Sequence, residues 1–301
     1  MATDMALGVV NDEMYWSAFE FPWASPACEG SDFGRRFVKN ERHFWRCVSC
    51  GLEKQHPLPT VQELEAYYDA SYRDGMYKDF VDAAEMKRMT AEYRLKKVCQ
   101  HIEGGRMLDV GCSNGQFLAA ARAAEIDAEG IDLSIEAVNQ AVAAGLPAHH
   151  STIDDWRPDY LYDSITMFDV LEHVIDPVDF LSSVKRLLKP NGTIVITVPN
   201  LDSITRLVMG SRWYFYIPEE HLHYFGLSVI RRLLDRLGFD VVDVTGIGKP
   251  LSFDYSMSQF EVYNPLIHAL LTPLRYVLPR KLRTMPVPLH IGEMKVVARL
   301  K

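Results

Sequence analysis

Short apolar runs alternate with segments of helical periodicity along most of the chain after residue 105. We predict helices where apolar residues recur every three or four positions, namely in GQFLAAARAAE, SIEAVNQAVAAG and DPVDFLSSVKRLLKP. We predict strands in the apolar runs RMLDVG, DAEGIDL, LPAHHS, DSITMFDV and GTIVITVP. Strands that alternate with helices form a parallel sheet with helices on both faces. The pattern therefore predicts a doubly wound α/β fold.

The remaining segments suggest how the chain is organised. A further helix, LSVIRRLLDRLG, precedes two strands, FDVVDVTGI and EMKVVARL, and helical patterns occupy TVQELEAYYDASY and DAAEMKRMTAEYRLKKVCQHI. Residues 1–60 are rich in aromatic residues, look irregular and contain a Cys-x-x-Cys pair. We predict an N-terminal segment at 1–60, a helical cap at 61–104, and a main domain at 105–301 with an insertion at 250–290.

Composition narrows the classes of protein that fit. The chain has 301 residues, of which 48% are hydrophobic, and a formal net charge of −8. The excess of acid argues against broad nucleic-acid binding, which needs a basic face. No apolar run reaches the roughly 20 residues that cross a bilayer, and no signal peptide is evident, so we expect a cytoplasmic protein. Five cysteines, an odd number, indicate reduced thiols or metal ligands rather than a disulfide framework.

The most informative stretch is RMLDVGCSNGQFL, which reads as a strand, a small turn and the start of a helix. Backbone N–H groups at such a turn approach a ligand only where side chains are small, as at Gly111, Ser113 and Gly115. The spacing departs from the dinucleotide fingerprint, because Ser113 and Leu118 stand at its second and third glycine positions. Asp109 would repel a pyrophosphate and attract an ammonium or a sulfonium. We therefore expect a cationic ligand without a phosphate.

A second acid follows the next predicted strand. Asp132 ends that strand, at a position where a carboxylate accepts hydrogen bonds from both hydroxyls of a ribose. The turn after the third strand carries Thr152 and Ile153, at a position that usually meets the adenine ring or its amino group. Together these residues indicate an adenosine ligand.

The segments LDVGCSNGQFL, GIDLS and FDVLEHVIDPVDFLSSVKRLLKPNGTIVITVPN resemble the class I S-adenosylmethionine-dependent methyltransferases. The resemblance covers residues 100–245 and implies a seven-stranded, mostly parallel sheet whose last strand, EMKVVARL, is antiparallel. It implies S-adenosylmethionine as the cofactor, with its methionine end at Asp109 and its ribose at Asp132. The implied cofactor contacts are Asp109, Gly111, Cys112, Ser113, Gly115, Asp132, Leu133, Thr152, Ile153 and Phe168. The alternative is an unrelated doubly wound protein in which Asp109 only caps a loop.

The N-terminal cysteines resemble the zinc ribbon that precedes the methyltransferase domain in one subfamily. The resemblance implies metal ligands at Cys28, Cys47 and Cys50, with Ser25 where a first cysteine belongs. A structural zinc takes four ligands, and two histidines close in sequence to the Cys47/Cys50 pair are candidates for the fourth: His43 and His56. The alternative is that the cysteines pack as small apolar residues without metal.

In the same subfamily, the segment after the cysteines places aromatic side chains over the cofactor. Four tyrosines are candidates here: Tyr67, Tyr68, Tyr72 and Tyr77. Helix packing explains the first two equally well, so we favour Tyr72 and Tyr77, which lie in a polar segment that contains glycine.

Two histidine positions could supply a base at the carboxyl edge of the sheet, where the methyl acceptor would lie. His173 follows the fourth strand, and His221 lies in PEEHLHYF. The second motif resembles the Glu-His pair of sugar C-methyltransferases, which implies His221 as the base, Glu220 as its orienting residue and His173 as an auxiliary. The alternatives are a histidine that only bonds a backbone group, and a metal bound through His221 and His223.

These features favour a methyltransferase that acts on a small molecule or glycan at oxygen or carbon. An inactive cofactor-binding or scaffolding protein of the same fold remains the alternative. A nucleic-acid methyltransferase is disfavoured by the acidic balance and by Val-Pro-Asn at residues 198–200. The insertion at 250–290, which carries Arg275, Arg280, Lys281 and Arg283, could cover an apolar acceptor, form a homodimer contact or lie on a membrane. We expect it to pack on the sheet.

Overall fold

The computed structural model describes residues 19–20, 24–60, 63–64, 81–102, 104–263 and 265–301. Its strands are β1 (Phe19–Glu20), β2 (Asp32–Lys39), β3 (Arg42–Cys47), β4 (Glu53–His56), β5 (Arg106–Val110), β6 (Asp127–Asp132), β7 (Ala148–His150), β8 (Tyr162–Phe168), β9 (Leu188–Pro199), β10 (His223–Tyr224), β11 (Phe239–Leu251) and β12 (Val287–Leu300). Its helices are α1 (Val81–Val98), α2 (Gln116–Ala123), α3 (Ile135–Ala143), α4 (Pro177–Leu187), α5 (Ile204–Met209), a 3₁₀ turn at Gly210–Arg212, α6 (Leu227–Arg236), α7 (Phe253–Tyr263), α8 (Pro265–Val277) and α9 (Arg280–Thr284).

The larger sheet has seven strands in the order β11-β12-β9-β8-β5-β6-β7. Strands β5 to β9 pair in parallel, whereas β12 is antiparallel to both β9 and β11. The central strands are apolar on both faces and are almost fully buried, as a parallel sheet covered by helices requires. The predicted doubly wound, seven-stranded fold and its antiparallel last strand are therefore confirmed.

A smaller antiparallel sheet occupies the N-terminal segment, in the order β1-β2-β3-β4-β10. The expectation of an irregular segment is wrong. Phe33, Phe44 and Cys47 are buried within it, so these strands have their own apolar face. Its last strand, β10, comes from a distant part of the chain, where His223 pairs with Lys54 and Tyr224 with Glu53.

The insertion forms a helical arm, which we define as residues 253–289. Its three helices contact one another, with α7 packed against both α8 and α9. From 265 to 290 every described residue is at least partly exposed, so the expectation that this segment packs on the sheet is wrong. Across the described part of the chain, the helices are all too short or too polar to span a bilayer.

Candidate active site

The turn between β5 and α2 has a backbone that only small residues can adopt. Gly111, Ser113 and Gly115 all have positive φ angles, of 75°, 49° and 81°. A Cβ at Gly111 would lie 2.6 Å from the Val170 side chain, and one at Gly115 would lie 2.5 Å from Leu146. The turn is therefore a cradle whose backbone approaches a ligand at the carboxyl edge of the sheet.

Asp132 joins this turn to the next one. Its Oδ2 accepts a hydrogen bond from the Ser113 N–H and its Oδ1 accepts one from the Ser134 N–H, both at 2.8 Å. A carboxylate has about four lone-pair directions, so each oxygen can accept a further hydroxyl. The two backbone bonds thus orient the group that the sequence assigns to the ribose.

Asp109 lies deeper, with its side chain only 3% exposed. Its Oδ1 accepts a hydrogen bond of 2.6 Å from the Thr166 hydroxyl. Burial raises the pKa of Asp109 to about 7, against the opposing effects of the Thr166 hydrogen bond and the Arg94 charge. A cation bound beside it would favour its ionised form, which matches the expected sulfonium and ammonium of S-adenosylmethionine.

The other predicted cofactor contacts lie around these two acids. Leu133, beside Asp132, is 62% exposed, so its side chain is accessible to a ring of the cofactor. Cys112 and Ile153 are buried. The Thr152 hydroxyl is used locally, since it donates to Asp155 Oδ2 at 2.6 Å and accepts from the Asp155 N–H. Phe168 packs edge-on against Phe117, with ring centroids 4.6 Å apart. Tyr72 and Tyr77 lie outside the described residues.

The donor set of this edge fits S-adenosylmethionine. The glycine cradle, the Asp132 carboxylate expected to bind a ribose, and the buried Asp109 face a common region. They are contributed by β5, β6 and the turns that follow them. When bound, this cofactor supplies an electrophilic methyl group on sulfur. The chain's own residues bind and orient it.

His173 and His221 are brought together although 48 positions separate them in sequence. Their rings meet edge to face, with centroids 4.7 Å apart. The Glu172 carboxylate completes the group, because ligand atoms of all three residues lie within 4.8 Å of one another. The Glu172 carbonyl accepts hydrogen bonds from the N–H groups of Leu222 (2.7 Å) and His223 (3.2 Å), which holds the two segments side by side.

The hydrogen bonds of His221 define its tautomer. Its Nδ1 lies 2.8 Å from the Phe215 carbonyl oxygen, which can only accept, so the proton sits on Nδ1. Nε2 of the neutral ring therefore carries the lone pair. Burial, and then the neighbouring His173, hold the pKa of His221 well below its usual range, and burial lowers that of His173 to about 4.

The sequence analysis expected Glu220 to orient the His221 ring. In the structure, the hydrogen bond to Nδ1 of that ring is made by the Phe215 carbonyl. Glu220 is not part of the group formed by Glu172, His173 and His221, so Glu172 is the carboxylate beside the two rings. Burial raises the pKa of Glu172 well above its usual range, with the Asp169 charge adding to the effect. The side chain of His223 points elsewhere, toward the Ile175 carbonyl at 3.2 Å.

A buried charge network borders this group and was missed by sequence reasoning. Asp169 Oδ2 accepts hydrogen bonds from Arg94 at 2.5 Å and Lys249 at 3.1 Å, and Lys249 also pairs with Glu293 at 2.5 Å. These residues come from α1, the end of β8, β11 and β12. Burial opposes ionisation of Asp169, but the two cations outweigh it and lower its pKa. The only local signal was Asp169 itself, a polar residue directly after a buried strand.

The small sheet is attached to the His221 segment. The Gln55 side chain donates to the Pro218 carbonyl at 2.7 Å, and its backbone N–H donates to the Leu222 carbonyl at 3.2 Å. The Tyr224 hydroxyl donates to the His221 carbonyl at 2.9 Å. The N-terminal segment therefore helps to position the imidazole.

The three predicted metal ligands also come together. Sulfur atoms of Cys28, Cys47 and Cys50 lie within 4.8 Å of one another, and Ser25 Oγ lies 3.2 Å from Cys50 Sγ. Neither candidate histidine joins this cluster. His43 lies four positions before Cys47 on β3, which is about 13 Å along the strand, and His56 pairs with His43. Ser25, which is 1% exposed, is the polar side chain next to the three thiols. Three thiols around one point fit a zinc ion.

Fold and site together define a class I S-adenosylmethionine-dependent methyltransferase. A family model described as "Methyltransferase domain" matches residues 82–244, more than half of the chain, and the chain belongs to that family.

Among curated proteins, the ubiquinone biosynthesis O-methyltransferase of Aromatoleum aromaticum is 25% identical over 183 residues, which cover 56% of this chain and 78% of that protein. The protein of the same name from Haemophilus ducreyi is 31% identical over 136 residues, which cover 40% of this chain and 58% of that protein.

Solved structures share the fold. A methyltransferase from Thermotoga maritima, described as a possible histamine N-methyltransferase, superimposes with a TM-score of 0.52 and 15% identity, covering 80% of this chain and all of that one. The 1,6-didemethyltoxoflavin-N1-methyltransferase of Burkholderia thailandensis, solved with S-adenosylhomocysteine, has a TM-score of 0.52 and 16% identity, covering 89% of this chain and 99% of that one.

Proposed function

We propose that this chain methylates a hydroxyl oxygen of a small-molecule acceptor, with His221 as the general base. The observation that carries the proposal is the hydrogen bond between His221 Nδ1 and the Phe215 carbonyl, which leaves the lone pair on Nε2. A base that is already neutral and held in one tautomer can accept the hydroxyl proton as the oxygen is alkylated. The curated relatives, whose names specify O-methylation, support oxygen rather than carbon as the acceptor atom.

The other residues of the cluster have supporting roles in this proposal. His173 and Glu172 lie beside the His221 ring, and the charge of Asp169 favours the imidazolium that forms on it. Arg94 and Lys249 hold Asp169 in place. Proximity of the acceptor oxygen to the methyl group then provides most of the rate.

The test is methyl transfer from labelled S-adenosylmethionine to a panel of phenols, catechols and sugars. With an active acceptor, His221→Asn should bind cofactor normally and lose about 10²–10⁴-fold in single-turnover rate, because the proton has no acceptor. His290→Asn, at an exposed histidine, is the matched control and should be silent.

Three results would speak against the proposal. Near-native turnover of His221→Asn would rule out His221 as the general base. A second bound metal, in addition to the one at the cysteines, that is lost in His173→Asn and is required for turnover would assign Glu172, His173 and His221 to a metal instead, since their donor set would suit one. Cofactor binding with no transfer to any acceptor would favour the scaffolding alternative.

We further propose that Cys28, Cys47 and Cys50 bind a structural zinc, with Ser25 at the fourth position. The purified protein should then carry about one equivalent of zinc, and a chelator should destabilise the small sheet. Ser25→Cys should tighten zinc binding in a competition titration, because a thiolate replaces a weaker hydroxyl ligand. Protein prepared with added zinc that contains no metal, together with a silent Ser25→Cys, would show that the cysteines pack as apolar residues.

A further inference from the structure

The helical arm leaves the molecule at the edge of the sheet that carries the active site. Strand β11 runs parallel to β5–β9, because it is antiparallel to β12 and β12 is antiparallel to β9. Its carboxyl end, Leu251, pairs with Val287 at the start of β12, and the arm connects these two residues. The arm therefore projects beyond the carboxyl ends of the parallel strands.

The surface of the arm is apolar to an unusual degree. Leu270 is 76% exposed, Tyr276 86% and Val277 78%, and Leu274 and Leu282 are exposed by nearly half. Single exposed apolar residues are normal, but a group of them along one helical segment marks a surface that contacts something else. Nothing in the described part of the chain covers it.

The charge of the arm is opposite to that of the whole chain. The arm contains four arginines and lysines, all within residues 265–289, and two acids, Asp254 and Glu261, in a chain whose formal net charge is −8. Asp254 on α7 pairs with Arg275 (3.6 Å) and Arg283 (3.3 Å), which braces the three helices against one another. Arg280 and Lys281 are exposed on α9. The arm is thus a braced element with a cationic, apolar surface.

A second apolar surface lies at the base of the arm. Ile204, Leu207 and Val208 on α5 are 79%, 75% and 79% exposed. The Thr205 hydroxyl on the same helix donates to the Ile291 carbonyl of β12 at 3.1 Å, just beyond the end of the arm. The apolar surface therefore extends from the arm toward the active-site edge.

We propose that the arm docks on an anionic membrane surface. Aliphatic and tyrosine side chains enter the boundary between headgroups and acyl chains, while arginine and lysine contact lipid phosphates. A second copy of this chain is a poorer occupant, because a two-fold contact would bring two copies of the same cationic surface together. Docking in this way would bring the active-site edge to the membrane surface. The inference goes beyond the proposed function and does not depend on it.

The test is cosedimentation of the full chain with vesicles of phosphatidylcholine alone and of phosphatidylcholine mixed with phosphatidylglycerol. Binding should be confined largely to the mixed vesicles and should weaken with salt. Arg280→Glu combined with Lys281→Glu should reduce it by about tenfold or more, since each cation near the surface contributes separately. Leu270→Ser combined with Val277→Ser should also reduce it, because the inserted apolar area is lost.

A matched control makes the same chemical changes at the opposite edge of the sheet. Arg122→Glu and Val142→Ser alter exposed residues near the carboxyl ends of α2 and α3, and they should leave vesicle binding unchanged. All variants should bind S-adenosylhomocysteine like the native chain, which verifies folding. Equal binding to both vesicle types, or none to either, would overturn the proposal. Self-association that Leu270→Ser and Val277→Ser abolish, without vesicle binding, would assign the surface to a second copy.

Discussion

The cofactor side and the proposed acceptor side of this candidate active site are built in different ways. On the cofactor side, Asp109, the glycine turn and Asp132 belong to two consecutive strand–turn units, and Asp132 bonds to the backbone of both turns, although Asp109 is also bonded to Thr166 of β8. On the acceptor side, His221 meets Glu172, and Arg94 and Lys249 arrive from separate elements. A local site leaves its signature in the sequence, whereas an assembled one depends on tertiary packing.

The difference also concerns stability. The acceptor side buries several charges that depend on one another across the fold, so loss of one leaves others without compensation. The cofactor side depends mainly on backbone conformation and on one carboxylate bonded to backbone N–H groups. Mutations in the charge network of the acceptor side should therefore lower stability, whereas mutations on the cofactor side should mainly lower cofactor affinity.

The largest effect should follow Lys249→Met. It leaves the buried carboxylate of Glu293 without its ion-pair partner and the partly buried Asp169 with Arg94 alone, and breaking a buried pair costs about 3–5 kcal/mol of unfolding free energy. Lys189→Met, which breaks the half-exposed pair with Asp163, is the control and should cost about 1 kcal/mol or less. Denaturant unfolding measures both. Equal losses for the two variants would show that the network adds no more than a surface ion pair.

A smaller effect, on affinity, should follow Asp132→Ala. Loss of a charged acceptor for the ribose hydroxyls should weaken S-adenosylmethionine binding by about 2–3 kcal/mol, or roughly 30–150-fold. Calorimetry measures the affinity, and Asp159→Ala, at an exposed carboxylate in the segment before β8, is the control. Unchanged affinity, or binding of NAD with similar strength, would contradict the assignment of this turn.

The smallest effect, counted per pH unit, concerns the pH dependence of cofactor affinity. Because the pKa of Asp109 is raised to about 7, its carboxyl is protonated in the free protein below that pH and must lose a proton when a cation binds beside it. Affinity for S-adenosylmethionine should therefore rise with pH up to about 7 and fall below it by up to about tenfold per pH unit. Asp109→Asn should give a flatter titration. A native profile that is flat between pH 5 and 8 would contradict this role.

The sequence predicted the fold and indicated the strained turn after Asp109 because both obey local rules. The alternation of strands and helices identified the doubly wound sheet, and the small turn after Asp109 requires residues that tolerate positive φ. Lys249 and Glu293 gave no such signal, since each looks like an ordinary polar residue near a turn. The arm was misjudged for a related reason: its apolar residues resemble a core segment, and only the tertiary structure shows that they stay exposed.

Strand β10 connects the N-terminal sheet directly to the segment that carries His221, the proposed base. Because His223 and Tyr224 pair with β4 directly after His221, the small sheet and the imidazole share one piece of backbone. Thermodynamic linkage is reciprocal, so whatever tightens the sheet favours the ordered imidazole, and an acceptor bound to the imidazole tightens the sheet in return. A zinc ion held by the cysteines would thus act as a remote effector of acceptor affinity, and acceptor binding would strengthen zinc binding in return.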